Sequence, residues 1–115
     1  RGPLPDADLR SASPIDADDV AALLSEMGYP CETRDAAQRI GTILANDRQA
    51  LVVARVDGVV RGLIALDFMY YLPLDTTTCR ITALVVSAEA QGRGLGRQLL
   101  REAERRARAA GAARL

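Results

Sequence analysis

The chain has 115 residues, enough for one domain with a modest core and too few for two ordinary ones. Its 15 basic and 15 acidic residues cancel, so no global field recruits nucleic acid or an anionic membrane, and no apolar run approaches the roughly 20 residues that span a bilayer. Histidine is absent, which removes Ser/His/Asp and Cys/His triads, and the two cysteines, Cys31 and Cys79, have neither metal-ligand spacing nor a disulfide framework. Both read as free, half-buried thiols; no metal is expected, and an N-terminus without a signal-peptide pattern gives a cytoplasmic location by default.

Residues 1–8 read as a disordered lead, Pro/Gly-rich at its start, followed by a short strand over 9–12. Ser13-Pro14-Ile15-Asp16 has the form of a helix start, with Ser13 as N-cap, Pro14 at the first helical position and an acid three residues after the cap. Val20, Leu23, Leu24 and Met27 then recur at helical spacing until Gly28 stops the element. A second helix is expected over 33–46, with Ala36, Ala37, Ile40, Ile43 and Leu44 on its inner side and Gly41 weakening it. Residues 50–55 and 59–69 are rich in branched side chains and flank Asp57-Gly58, the chain's strongest hairpin signal. A loop over 72–77 carries Pro73, and 78–86 is the next strand.

A long helix over 94–110 turns Leu95, Leu99, Ala103 and Ala107 inward and places Glu102 to pair with Arg106 one turn on; Gly111 ends it, and 112–115 looks like a strand beginning. The order β, α, α, β, β, β, α and a strand stub, with no internal repeat, implies that the strand over 78–86 and its successor run parallel.

The most informative stretch joins the apolar strand Ile81-Thr82-Ala83-Leu84-Val85-Val86 to Gln91-Gly92-Arg93-Gly94-Leu95-Gly96-Arg97. The first turn of a helix leaves backbone N–H groups without intrahelical partners and carries partial positive charge, so it holds an anion without a side-chain ligand. Glycine at 92, 94 and 96 removes Cβ atoms that would keep a pyrophosphate away, and Arg93 and Arg97 add charge at the end of the helix where its dipole disfavours cations. A P-loop needs Lys and Ser or Thr after the last glycine, whereas Arg97 and Gln98 stand here; a dinucleotide fingerprint needs G-x-G-x-x-G and a distant acid, and the spacing here is G-x-G-x-G.

Gln91-Gly92-Arg93-Gly94-Leu95-Gly96 is similar to the Q/R-x-x-G-x-G/A signature of the GCN5-related N-acetyltransferase (GNAT) superfamily, and the opening Leu9 to Asp19 resembles the family's first strand and first helix start. The resemblance covers roughly the whole chain, with high specificity only from Ile81 to Arg97. It implies an α/β (α+β) acyl-CoA N-acyltransferase fold, a mixed, mostly antiparallel sheet flanked by helices. Residues 9–115 would form the acetyltransferase domain, apparently without its C-terminal strands. In the family, acetyl-CoA lies in a V-shaped opening between the fourth and fifth strands.

The resemblance assigns cofactor binding to Leu84, Val85, Val86, Gln91, Gly92, Arg93, Gly94, Leu95, Gly96 and Arg97, the strand backbone pairing with the pantetheine arm as an added strand. Acetyl-CoA is the implied cosubstrate, and the implied activity is transfer of an acetyl group to the primary amine of a small amine, aminoglycoside-like compound, amino acid or peptide. One of Arg101, Arg105, Arg106 and Arg108 could reach the 3′-phosphate, but spacing does not choose which. Tyr29, Tyr70, Tyr71 and Asp67 are candidates for shaping the acceptor site. The family's usual base, a carboxylate near the start of the fourth strand, has no counterpart in Cys79-Arg80-Ile81-Thr82-Ala83, so no catalytic residue is assigned. The amide of Leu84 or Val85 remains to polarise the thioester carbonyl, and Thr82 to order a water. A non-catalytic CoA-binding or sensing module and a sheet-completing interaction fragment are the alternatives. No nucleic-acid or membrane partner is expected, and homodimerisation is left open.

Overall fold

A computed structural model describes residues 7–112. Strand β1 (Asp8–Ser11) leads through a 3₁₀ turn (Pro14–Asp16) into helices α1 (Ala17–Glu26) and α2 (Thr33–Leu44). Strands β2 (Gln49–Val56), β3 (Val59–Tyr71) and β4 (Thr76–Val86) follow, then helix α3 (Leu95–Ala109). The four strands form one sheet in the order β1-β2-β3-β4, every described ladder antiparallel. Of the strand stub expected over 112–115 as a parallel partner of β4, residues 113–115 lie outside the described residues, and Ala112 is in no strand: its N–H donates to the Ala107 carbonyl at 2.8 Å and closes the end of α3. Residues 1–6 of the expected lead also lie outside the described residues; its last part is structured, since Asp8 opens β1 and the Ala7 N–H donates to Gln98 Oε1 at 2.9 Å.

The sheet has a core on each face. Residues of α1 and α2, among them Val20, Leu23, Ala36 and Ile40, pack on Leu51, Val53, Val60, Leu63 and Val85. On the other face Leu95, Leu99, Ala103 and Ala107 of α3 pack on Val52, Ala54, Ile64, Leu66 and Cys79. All four inward positions expected for α3 are buried.

Alternation assigns odd and even strand positions to opposite faces, and two bulges reset it. Opposite β2, Arg61 is an extra residue of β3, so Val60 and Leu63 share a face. Opposite β3, Thr82 is an extra residue of β4, because Leu66 faces Ile81 while Ala65 faces Ala83. Cys79 and Ile81 therefore serve the α3 core, and Ala83 and Val85 the α1/α2 core.

Local expectations mostly match, with instructive exceptions. Asp57 and Gly58 adopt φ of 53° and 80°, the pair of positive values that a type I′ hairpin turn demands. The start at Ser13 forms a 3₁₀ turn before α1 rather than its first α-turn: buried Asp16 accepts the Ser13 N–H at 2.8 Å and pairs with Arg10 at 2.8 Å, so its carboxylate ties β1 to the turn. Helix α2 stops at Leu44, and Ala37 and Leu44 are exposed; only Ala36 and Ile40 are fully buried, because one narrow stripe of this short helix meets the sheet. The expected loop over 72–77 shortens to a 3₁₀ turn (Leu72–Leu74) and Asp75, with β4 starting at Thr76. Cys31 and Cys79 are both free thiols; Cys79 is fully rather than half buried, under α3.

Helix α3 approaches β3 closely because residue 62 is glycine. A Cβ there would lie 3.0 Å from Leu99 Cδ1, 3.2 Å from Leu95 Cδ2 and 3.3 Å from the Val85 carbonyl oxygen. At Gly41, in the exposed interior of α2, a Cβ would meet nothing within 4 Å beyond the helix's own local backbone. Urea denaturation should therefore give opposite signs at the two glycines. Gly62→Val destabilises by about 1–3 kcal/mol through overpacking, whereas Gly41→Ala stabilises by about 0.5–1 kcal/mol through reduced backbone entropy.

Candidate functional site

The end of β4 and the start of α3 form one continuous feature. Among the described residues β4 is a sheet edge, so half of its backbone groups have no strand beside them. The Ser87 N–H donates to the Arg61 carbonyl at 2.8 Å. Antiparallel ladders alternate, and the register sets Val85 opposite Leu63 and Val86 opposite Gly62. The Val85 amide thus faces β3, and the polar groups of Leu84 and Val86 face outward. Gln91 confirms the direction, since its Nε2 donates to the Val86 carbonyl at 3.0 Å and closes the loop back onto the strand. Leu84 is 41% exposed, whereas Val85 is buried in the α1/α2 core.

A 3₁₀ turn (Ala88–Ala90) carries the chain from β4 to the glycines. Its first amide, that of Ala88, donates to Glu26 Oε2 at 2.9 Å, so the end of α1 fixes the approach to the turn. Gly92 and Gly94 have φ of 73° and 89°, values that side chains with a Cβ rarely adopt. Gly94 is the N-cap of α3, and the first amide to bond back is that of Gln98, to the Gly94 carbonyl at 3.1 Å. The amides of Leu95, Gly96 and Arg97 precede it, at the positive end of a 15-residue helix.

Backbone conformation explains glycine at 92 and 94. It does not explain Gly96, where a Cβ would make only an ordinary 3.9 Å contact with Val86 Cγ2. The absence of a side chain at 96 keeps the surface between the β4 edge and the α3 N-terminus low. Leu95 contributes its amide to this surface while its side chain is buried in the core, Arg97 is exposed and Arg93 half-buried.

The arginines along α3 are not equivalent. Arg105 and Arg106 both hydrogen bond to Glu102, Arg106 through Nε at 2.8 Å as the i, i+4 spacing anticipates, and Arg106 also donates to Ser11 Oγ at 3.1 Å. Those two hold α3 to itself and to β1. Arg97, Arg101 and Arg108 are exposed.

The residues considered for the acceptor side separate. Tyr70 and Tyr71 alternate, so Asp67 and Tyr71 lie on the α1/α2 face and Tyr70 on the α3 face. The Tyr70 hydroxyl donates to Asp75 Oδ1 at 2.7 Å, which raises its pKa and bridges the β3–β4 connection. Tyr29 lies exposed between α1 and α2. Burial, reinforced by the Asp67 charge, pushes the Cys79 thiol up, so Cys79 is a packed thiol rather than a nucleophile. The Glu26 clamp on Ala88 and the Thr82 bulge were missed in the sequence, although Gly62 within a strand was a readable sign of close approach.

The model of the "Acetyltransferase (GNAT) family" matches residues 17–115, and the chain belongs to that family. No curated protein sequence matches it. Among solved structures, a GNAT family acetyltransferase from Staphylococcus aureus superposes with a TM-score of 0.87 at 21% identity, covering 96% of this chain and 84% of that one. Glucosamine-6-phosphate N-acetyltransferase from Arabidopsis thaliana gives 0.82 at 15% identity, covering 94% and 78%. Ribosomal-protein-alanine N-acetyltransferase from Brucella melitensis gives 0.75 at 17% identity, covering 95% and 76%. At these identities the superpositions establish the fold, which is that of the GNAT acetyltransferases.

The Arg105 hydrogen bond, opposed by burial and aided by Arg106, lowers the Glu102 pKa below its ordinary 4.5. A depressed carboxylate pKa stabilises the fold above the unfolded value, and that contribution disappears as pH falls through the folded value. Glu102→Gln should therefore melt below the wild type at pH 7, with the gap closing as pH drops beneath about 4.5. A gap that stays constant into acid would show that the Glu102 charge contributes nothing.

Proposed function

We propose that the protein is an acetyl-CoA-dependent N-acetyltransferase that moves an acetyl group to a primary amine. The observation that carries this reading is the joint presentation of the outward Leu84 backbone groups and Val86 N–H, beside a Val86 carbonyl taken by Gln91, and the amides of Leu95, Gly96 and Arg97 that precede the first intrahelical bond. The first set suits the amides of a pantetheine arm, laid along β4 as a further strand would be. The second suits a pyrophosphate, with Arg93 and Arg97 adding charge beside it.

The chemistry follows from where these groups face. A thioester at the β4 edge would direct its carbonyl oxygen at the Leu84 amide, which is preorganised by the sheet and stabilises the charge that develops during attack. The Val85 amide is committed toward β3 and does not serve. Acetyl-CoA supplies the activated acyl group. The acceptors named for the neighbouring structures include glucosamine-6-phosphate and a ribosomal-protein alanine, so the fold accommodates both small and peptide amines.

Calorimetric titration with acetyl-CoA, NAD and ATP in parallel tests the reading: saturable binding of acetyl-CoA alone is expected. Gly94→Val should abolish that binding, because a β-branched residue at φ of 89° is strained and remodels the turn. Circular dichroism should show α3 retained, since its four buried residues are untouched. Arg97→Ala should weaken binding by severalfold at low salt and less at high salt, as a screened charge contact requires. Equal binding of all three ligands, or unchanged affinity in Gly94→Val, would refute the assignment.

A further inference from the structure

Strand β4 carries a single charged side chain, Arg80, and β4 is an edge of the described sheet. Its chain neighbours Cys79 and Ile81 pack beneath α3, so Arg80 stands on the opposite, α1/α2 face, across the ladder from Asp67. The Arg80 side chain is 63% exposed, and its Nη2 approaches Asp67 Oδ2 to 3.6 Å. At that distance the guanidinium is attracted to Asp67 without hydrogen bonding to it, so its donors remain available to a second anion. A pair this exposed adds little to stability, and folding therefore gives little reason for an arginine here.

The direction from which an anion would reach Arg80 follows from the cofactor site. With a pyrophosphate on the amides of Leu95, Gly96 and Arg97 and a pantetheine arm laid from Val86 to Leu84, the donor runs down β4 against the chain direction. Its acyl group, carbonyl on the Leu84 amide, then points along the edge toward Thr82, Ile81 and Arg80. The register sets Leu84 level with Ile64 and Arg80 level with Asp67, a separation of about 10 Å along the strand. The edge between them is uncharged: Ala83 is small and half-buried, and the Thr82 hydroxyl donates to the Ala65 carbonyl at 3.4 Å. An acetyl group ends well short of Arg80. Two methylenes and a carboxylate extend about 5 Å past the carbonyl carbon. A hydrogen bond of about 2.8 Å to the guanidinium and a swing of the exposed arginine stem close the remainder.

We propose that Arg80 recognises a carboxylate at the far end of the donor's acyl chain, so that the cleft takes a dicarboxylic acyl donor in addition to acetyl-CoA. Succinyl-CoA is the simplest donor whose length fits the gap. This rests on the acetyltransferase reading above and extends its donor. Asp67, one strand behind the edge, draws the guanidinium toward the sheet without occupying its donors.

The transfer itself is that of an acetyl group. The lone pair of a neutral amine forms the N–C bond to the thioester carbon, and the C–S bond breaks with its electron pair on the CoA sulfur. The proton that the nitrogen loses passes to that sulfur. The distal carboxylate is unchanged and stays on Arg80, so the products are an N-succinyl amide and CoA. Acetylation removes the positive charge of an acceptor amine, whereas this transfer replaces it with a negative one.

The test is calorimetric titration of the wild type, Arg80→Gln and Arg80→Lys with acetyl-CoA, butyryl-CoA and freshly prepared succinyl-CoA, with a melting temperature for each protein. Butyryl-CoA matches the succinyl chain with a methyl group in place of the carboxylate. Succinyl-CoA should bind about tenfold tighter than butyryl-CoA, as one hydrogen bond between charged groups provides, and the advantage should shrink in high salt. Arg80→Gln should erase the advantage with acetyl-CoA affinity and melting temperature preserved, and Arg80→Lys should keep part of it. Succinyl-CoA bound no tighter than butyryl-CoA, or an advantage that survives Arg80→Gln, would overturn this inference and leave the acetyl-CoA assignment standing. Failure to bind any of the three would overturn both.

Discussion

The extra residue Thr82 in β4 is the constraint on which the rest of this structure depends. A strand presents each face with every second side chain, so without a reset Cys79, Ile81, Ala83 and Val85 would all face one way. With the bulge, the first two pack beneath α3 and the last two beneath α1 and α2. One strand thereby serves both cores in sequence, and the same reset decides which amides of its C-terminal end face β3 and which face outward. The direction of the Leu84 and Val86 groups, from which the cofactor reading is argued, is inherited from that single unpaired position.

The N-terminus of α3 is placed by packing rather than by its own loop. Leu95 and Leu99 lie against Gly62, where the absence of a side chain lets the helix settle close to the sheet. Its free amides therefore keep a fixed relation to the edge of β4, only a short turn away in sequence. The Glu26 carboxylate on the Ala88 amide and the Gln91 side chain on the Val86 carbonyl hold the intervening turn from both sides. A backbone-lined anion site depends on this kind of preorganisation, because amides that had to be ordered on binding would lose affinity to that ordering.

What was legible in the sequence divides along physical lines. The Asp57-Gly58 turn and the inward face of α3 were readable because each is set by local conformational preference or a single period. The Glu102–Arg106 contact was readable because i, i+4 neighbours meet on any helix. The bulges at Arg61 and Thr82 were not, since nothing in an apolar run such as Ile81 to Val86 marks where a register slips. The exposure of Ala37 and Leu44 was hidden too: periodicity shows which side of a helix is apolar, but not how much of that side meets a neighbour. Asp16, the acid three residues after the Ser13 cap, also pairs with Arg10, a contact between β1 and the turn that no capping pattern encodes.

The two halves of the candidate site differ in the same way. Recognition through main-chain groups needs consecutive residues of special conformation, so it leaves a compact signature, here Gln91 to Arg97. Recognition through side chains uses whatever strands the sheet brings together, so its residues are scattered. Asp67 and Arg80 are 13 positions apart in sequence and become neighbours only through the β3–β4 register. Across the ladder from Arg80 stands the Asp67 carboxylate, and cross-strand neighbours on one face lie about 5 Å apart, so residues distant in sequence share one patch of the sheet.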